Sequence, residues 1–343
     1  MSSSQPLSKF ARSCFGKFTP VASQSSFSSV ASAPRHSKLV TSPKFPIPRY
    51  GGKSKPTPTN IISSVPPPNQ QIDSLHQHQN YIANTLRPFF ESRTPLLLQN
   101  LLGACDAIYF WRSLEYWRVA VGEDTPVDVE IGKGYNRGGN RATMMFGEYL
   151  NYLVLSIELE QQEYEQYNYQ DGMETIDSQQ IGDHEVAYLA QNELFHQVRH
   201  DITIPKLCEN GEYNVGEGRL YQTMLWMGPR HTVSPLHYDP LDNILMQVVG
   251  WKRVLLFPPD SQTEGSRAIK PSWHYAGENG NQYNTSAVDV ENPNHDLFPH
   301  FESTAPIPYE CILGPGDGLF IPKRWWHHVR SLEFSVSANV WWR

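Results

Sequence analysis

His237 and Asp239 stand two residues apart in "PLHYDPLDN" (residues 235–243), an imidazole and a carboxylate separated by Tyr238. In an extended segment residues i and i+2 point to the same face, so the two side chains converge on one point. That is a metal-ligand geometry if a third donor arrives from elsewhere in the chain. His-X-Asp alone is more often a turn or surface pair, so its surroundings must carry the argument. Late in the chain, "IPKRWWHHVRSLEFSVSANVWW" offers His327 and His328. Strand alternation puts His327 on the face of Trp325 and Val329, and His328 on the face of Arg330. The apolar face is the one expected to turn inward, which makes His327 the better ligand. A β-bulge here would exchange the two.

Two histidines and one carboxylate, with open positions left over, form the facial triad of non-haem Fe(II) oxygenases. The open positions suit a chelating 2-oxo acid and dioxygen. A five-carbon co-substrate would also need a cation deep in the fold for its distal carboxylate. Lys252, in "VVGWKRVLLF", shares strand parity with Val254 and Leu256 and so falls among apolar residues. A lysine is rarely buried without a partner. Position alone favours a solvated lysine at a hairpin tip.

The elements that must hold these groups follow from periodicity. From Val186 onward, short apolar segments alternate with Gly, Pro and Asn ("LYQTMLWMG", "VSPLHYD", "NILMQVVG", "WKRVLLFPP", "FSVSANVWW"). Many short strands at near-regular spacing predict a jelly-roll barrel over 186–343. "QVVGWKRVLLF" reads as a hairpin with Gly250 and Trp251 at its tip. Residues 72–185 read as a helical and mixed segment packed on that barrel. A helix starts after Asp73 or Ser74, "TPLLLQNLL" is buried, "FWRSLEYWRVAVG" is a short helix and "PVDVEIG" a strand. A further helix is expected from Ala142. The Gln/Glu-rich stretch of about 158–180 reads as a solvated acidic loop, with continued helix as the alternative. Residues 1–71 form a basic Ser/Pro-rich leader without Asp or Glu, expected to be disordered. Its composition fits a mitochondrial transit peptide and a basic tail equally.

Bulk properties exclude several classes. The chain has 343 residues and a formal net charge of -7, so a broad electrostatic grip on nucleic acid is not expected. The four cysteines are far apart, without CxxC spacing, which argues against a disulfide framework and for a reducing compartment. No run approaches the roughly 18 apolar residues of a membrane span. These features point to an intracellular protein, nuclear or cytoplasmic, or mitochondrial if the leader is a transit peptide.

The segments "VSPLHYDPLDNILMQVVGWKRVLLFPPD", "NTSAVDVENP" and "GPGDGLFIPKRWWHHVRSLEFSVSANVWW" together resemble a JmjC domain of the cupin superfamily. The likeness extends upstream through "WRSLEYW", "PVDVEIG" and "YLAQNELFHQV", covering roughly residues 95–343. Within the family the chain is similar to the small oxygenases of the lysine-specific demethylase 8 and protein arginyl hydroxylase type. The resemblance implies a mainly β fold, a double-stranded β-helix preceded by a helical part. It implies Fe(II) bound by His237, Asp239 and His327. It implies 2-oxoglutarate held by Lys252 with Tyr188, Ser234 and Asn243, and O2 as the second co-substrate. Glu130, Tyr135 and Trp226 match positions that such hydroxylases use around the target side chain; a carboxylate and an indole suit a guanidinium or methylammonium.

The implied activity is hydroxylation of a protein side chain, arginyl hydroxylation or histone methyl-lysine demethylation, on a protein or peptide partner. A tRNA-modifying JmjC hydroxylase and a non-catalytic cupin scaffold are the alternatives. A zinc hydrolase would leave Lys252, Asn243 and Tyr188 without a role. With the last strand ending beside Arg343, no C-terminal reader module is expected.

Overall fold

The chain enters through two short strands, β1 (Asn60–Ile61) and β2 (Ser64–Val65), and a long helix, α1 (Leu75–Glu91). Strand β3 (Leu96–Leu98) is followed by the short helices α2 (Ala107–Phe110) and α3 (Leu114–Val121). Strands β4 (Pro126–Gly132) and β5 (Asn140–Met145) lead to helix α4 (Phe146–Tyr169) and strand β6 (Val186–Glu193). The remaining strands are β7 (Leu220–Gly228), β8 (Val233–Tyr238), β9 (Asp242–Val249), β10 (Lys252–Phe257), β11 (Tyr309–Leu313), β12 (Gly318–Ile321), β13 (Trp326–Ser331) and β14 (Ser335–Trp342). A short helix, α5 (Phe301–Thr304), precedes β11. This computed structural model describes residues 60–65, 75–103, 105–132, 140–169, 186–259, 269, 273 and 284–343. Tyr135, residues 1–59 and the acidic stretch 170–180 lie outside the described residues. Within the leader of 1–71 expected to be disordered, residues 60–61 and 64–65 are instead strands, paired with β11 and β3.

Two sheets face each other. One has the order β1-β11-β10-β13-β8, the other β2-β3-β12-β9-β14-β7-β6-β4-β5. From β7 to β14 the chain changes sheet at every link but β10 to β11, which makes a double-stranded β-helix. The mainly β jelly-roll expected of the sequence is therefore the fold observed. Leu245, Val254, Leu256, Leu319, Ile321 and Val329 fill the space between the sheets. The helices cover the outer face of the larger sheet through Ile244, Met246, Val248 and Ala338. Residues from 269 to 305 cover the smaller sheet through Leu255, Phe257, Val288 and Trp326. With both faces covered, β9 and β10 are buried at every position, which explains their continuous apolar runs.

Three local expectations are corrected. Gly250 and Trp251 do not tip a hairpin, because β9 and β10 lie in different sheets and pair with β12 and β14, and with β11 and β13. The two residues turn a corner between sheets, with Gly250 at φ +72° against the Phe334 carbonyl. The helix expected from Ala142 begins at Phe146, since residues 140–145 pair with β4 as a strand. The acidic stretch from Glu158 is helical up to Tyr169. Its carboxylates are docked on the barrel: Glu160 accepts from the Phe334 N–H, and Glu163 pairs with Arg230 at 2.8 Å. These contacts let an acidic segment remain helical where solvation alone would favour a loop.

A Cβ at Gly250 would stand 2.0 Å from the Phe334 carbonyl oxygen, at a φ that L side chains rarely adopt. Gly250→Ala is therefore expected to cost on the order of 3 kcal/mol or more. Urea unfolding of the purified variant checks this, and native-like stability would rule out the corner as a rigid constraint.

Candidate metal centre and anion pocket

Register brings the donors together. His327 on β13 lies directly opposite His237 on β8, and the two rings are 4.1 Å apart. The pairing shifts only beyond that point, where β8 fits two residues, Pro235 and Leu236, opposite His328. β8 is an edge strand, the place where proline and a bulge are tolerated. The bulge therefore spares the expected parity: His327 faces inward, and His328 faces outward, 3.9 Å from Glu291. Asp239 follows at the mouth, its Oδ2 3.7 Å from His327 Nε2. One ligand atom from each of His237, Asp239 and His327 lies within 4.8 Å of the others.

The donors are prepared as ligands. His237 Nδ1 is 2.7 Å from the Pro235 carbonyl, and His327 Nδ1 is 3.0 Å from the Trp325 carbonyl. A carbonyl only accepts, so each Nδ1 carries the proton and each Nε2 presents a lone pair. Burial and the adjacent His237 lower the proton affinity of His327, with Asp239 opposing, so this imidazole is neutral as a metal requires. Asp239 Oδ2 accepts from Trp341 Nε1 at 2.9 Å and from Asn243 Nδ2 at 3.3 Å. The donor set fits a divalent transition metal with open positions.

Behind the mouth, Lys252 is only 2% exposed and its Nζ donates to the Tyr188 hydroxyl at 3.4 Å. No carboxylate among the described residues faces it, and burial pushes its ammonium down to about 7. The solvated hairpin-tip reading of Lys252 is thereby excluded. Tyr188 also hydrogen-bonds Ser234, and burial keeps its phenol protonated. Tyr188 fits here because β7 carries Gly228, where a Cβ would meet its ring at 2.7 Å. Asn243, Asn339 and Trp226 form a chain: Trp226 Nε1 donates to Asn339 Oδ1 at 2.9 Å, and Asn339 Nδ2 to Asn243 Oδ1 at 3.2 Å. A buried amine beside a phenol hydroxyl, with no carboxylate facing it among the described residues, has the chemistry to accept a small carboxylate.

Of the three residues matched to the target side chain, Glu130 stands beside Tyr188 in the β4–β6 register, and burial raises its carboxyl to about 7 against the pull of Arg141. Trp226 packs against Tyr188 with its N–H turned to Asn339, so it walls the inner pocket. Sequence reasoning missed Asn339 and Trp341, which fix Asn243 and Asp239. The signal was present in "SVSANVWW", where Ser335, Ser337, Asn339 and Trp341 alternate with apolar residues.

Barrel and donors together define a cupin-type metal site. The model of the cupin-like domain family matches residues 83–343. Lysine-specific demethylase JMJ30 of Arabidopsis thaliana is 34% identical over 260 residues, 75% of this chain and 52% of that protein. Lysine-specific demethylase 8 of Danio rerio is 34% identical over 261 residues, 74% of this chain and 54% of its own length. tRNA wybutosine-synthesizing protein 5 of Danio rerio is 38% identical over 151 residues, 43% of this chain and 39% of that protein. The chain belongs to the cupin-like domain family as one of its JmjC members. It spans about half the length of the two demethylases it matches. Among the described residues no helix is long and apolar enough to cross a membrane.

Trp341→Phe keeps a ring in place and removes one donor to Asp239. Loss of such an orienting bond typically costs about 10–100-fold in metal affinity. Metal titration with circular dichroism as a folding control is expected to read that loss, and unchanged affinity would remove Trp341 from the site.

Proposed function

We propose that the chain is an Fe(II)- and 2-oxoglutarate-dependent oxygenase that hydroxylates a protein side chain, with an arginyl side chain favoured over N-methyl-lysine. The carrying observation is the convergence of His237, Asp239 and His327 next to a buried lysine that lacks an anion. His237, Asp239 and His327 would hold the iron. Lys252 and the hydroxyls of Tyr188 and Ser234, with the Asn243 amide, would hold the distal carboxylate of 2-oxoglutarate. Once bound, iron and 2-oxoglutarate supply the oxidation, in which O2 and 2-oxoglutarate yield succinate, CO2 and a hydroxylated C–H position.

The chain's own residues supply the rest. The Nδ1–H bonds of the two histidines fix the lone pairs on Nε2. Trp341 and Asn243 hold the carboxylate still, and the apolar filling between the sheets keeps water from the pocket floor. Glu130, on the strand beside Tyr188, would receive the target cation. A guanidinium pairs two donors with one carboxylate, which supports arginine over methyl-lysine. Tyr135 belongs to the same proposal by its match to the family pattern. A tRNA substrate is the second reading, supported by the likeness to the wybutosine-synthesizing protein and opposed by the net charge of -7. A protein substrate supports a nuclear or cytoplasmic location.

Succinate release on admitting O2 to protein loaded anaerobically with Fe(II) and 2-oxoglutarate tests the reading. Turnover is expected in the native chain and is lost in His237→Ala and Lys252→Ala. A folded, metal-loaded native chain without turnover would promote the scaffold alternative. Co-substrate binding should also take up a proton. Ligand-free Lys252 loses its charge as pH rises through about 7, and the bound carboxylate restores it. Affinity for 2-oxoglutarate is thus expected to fall as pH rises above that range. Calorimetry in buffers of differing ionisation enthalpy reads the uptake, and pH-independent binding would separate Lys252 from the carboxylate.

A further inference from the structure

One row of side chains crosses the larger sheet toward the pocket. In register, Arg141 on β5 lies opposite Glu130 on β4, and Glu130 opposite Tyr188 on β6. Tyr188 in turn accepts from Lys252 on β10. Cation, carboxylate, phenol and cation therefore succeed one another from rim to floor. Arg141 Nη2 stands 3.6 Å from Glu130 Oε1, and the two differ in their access to water: 58% of the arginine side chain is exposed, 15% of the glutamate. The glutamate is fixed among the strands, while the arginine reaches it from solvent.

We propose that Arg141 is a resident stand-in for the substrate guanidinium, paired with Glu130 in the unliganded protein and displaced by an arginyl side chain, which makes it a specificity-determining residue. This rests on the reading that Glu130 receives the target cation. An exposed ion pair is weak, worth about 0–1 kcal/mol, so exchange of one guanidinium for another is nearly isoenergetic at Glu130. Without a cation, burial would favour the protonated carboxyl, which cannot attract a substrate. Arg141 thus offsets part of the burial effect, so that more of the carboxyl is charged around neutrality than without it, and is itself a weak competitor. A neutral side chain cannot replace it, and this biases the mouth toward cations. The other groups near Glu130 do not serve: Asp128, two residues along β4, bonds Thr143, Tyr188 is neutral, and Lys252 lies beyond Tyr188.

The test uses the full chain loaded with 2-oxoglutarate and Zn(II), a diamagnetic and redox-inert metal that supports no turnover. The Glu130 carboxyl is followed by 13C NMR, assigned with Glu130→Gln, and N-acetyl-arginine amide is titrated across pH. In Arg141→Gln the Glu130 midpoint is expected to rise above the native value near 7. The probe then binds more weakly than to the native chain around neutrality. At alkaline pH it binds more tightly, by up to about fivefold, the scale of one exposed ion pair. The two affinity curves therefore cross, and Arg141→Lys keeps the native midpoint. Coincident or parallel curves for native and Arg141→Gln, with binding lost in Glu130→Gln, overturn the stand-in alone. Equal binding by Glu130→Gln and the native chain overturns the substrate reading and the stand-in with it.

Discussion

An ammonium buried without a counter-charge is the constraint around which this barrel is organised. Desolvating a cation costs several kcal/mol unless an anion or a set of dipoles replaces the water. Among the described residues the polar group beside Lys252 is the Tyr188 hydroxyl, between sheets otherwise filled by Leu245, Val254 and Leu256. The apolar filling must outweigh that cost, and it does so by being continuous on both sides of each sheet. The result is an apolar floor that carries one amine and one phenol. The same feature would be a defect in a storage or structural protein.

The metal donors depend on a second constraint, the register of an edge strand. His237 lies on β8, with Asp239 directly after its end, and β8 has β13 on one side only. Its free edge is covered by residues 284–286, where Tyr238 N donates to the Asn284 carbonyl and Ser286 N to the Leu236 carbonyl. That cover is pinned from below by Glu291, which accepts from Arg330 at 2.5 Å and Arg253 at 3.3 Å. Arg253 also reaches Glu310 at 2.6 Å. An ion network on the outside of the smaller sheet thus holds the strand that presents ligands on its inside. The two histidines are fixed by strand pairing, and Asp239, in the short link between β8 and β9, is fixed by its bonds to Trp341 and Asn243.

Much of this was legible in the chain itself. The spacing of His237 and Asp239, the inward parity of His327 and the apolar flanks of Lys252 are local properties, and local periodicity survives folding. The jelly-roll followed from strand length and spacing for the same reason. What failed was non-local. The corner at Gly250 looks like a hairpin tip because a two-residue Gly-containing link is common to both; only the pairing partners of β9 and β10 tell them apart. Helix α4 outlasts its amphipathic part because Glu160 and Glu163 find the Phe334 amide and Arg230, more than 60 residues away in sequence. Asn339 and Trp341 were hidden for a similar reason, since an alternating strand shows which residues turn inward but not which strand they meet.

Substrate choice sits in a different layer from chemistry. The metal and co-substrate groups come mainly from β8, β9, β10 and β13, strands held on both faces by core clusters. Glu130 and Arg141 come from β4 and β5, which extend the larger sheet at its far edge. Of the two only β5 is an edge strand; β4 pairs with β5 and β6, so both lie beyond β6 and neither pairs with a strand from β7 to β14. A carboxylate there can be replaced by a group of another charge at little cost to the floor. One barrel can therefore keep its donor cluster fixed while the strands beside it carry groups of another charge. In this chain those strands carry Glu130, a largely buried carboxylate, with the solvent-exposed guanidinium of Arg141 3.6 Å from it.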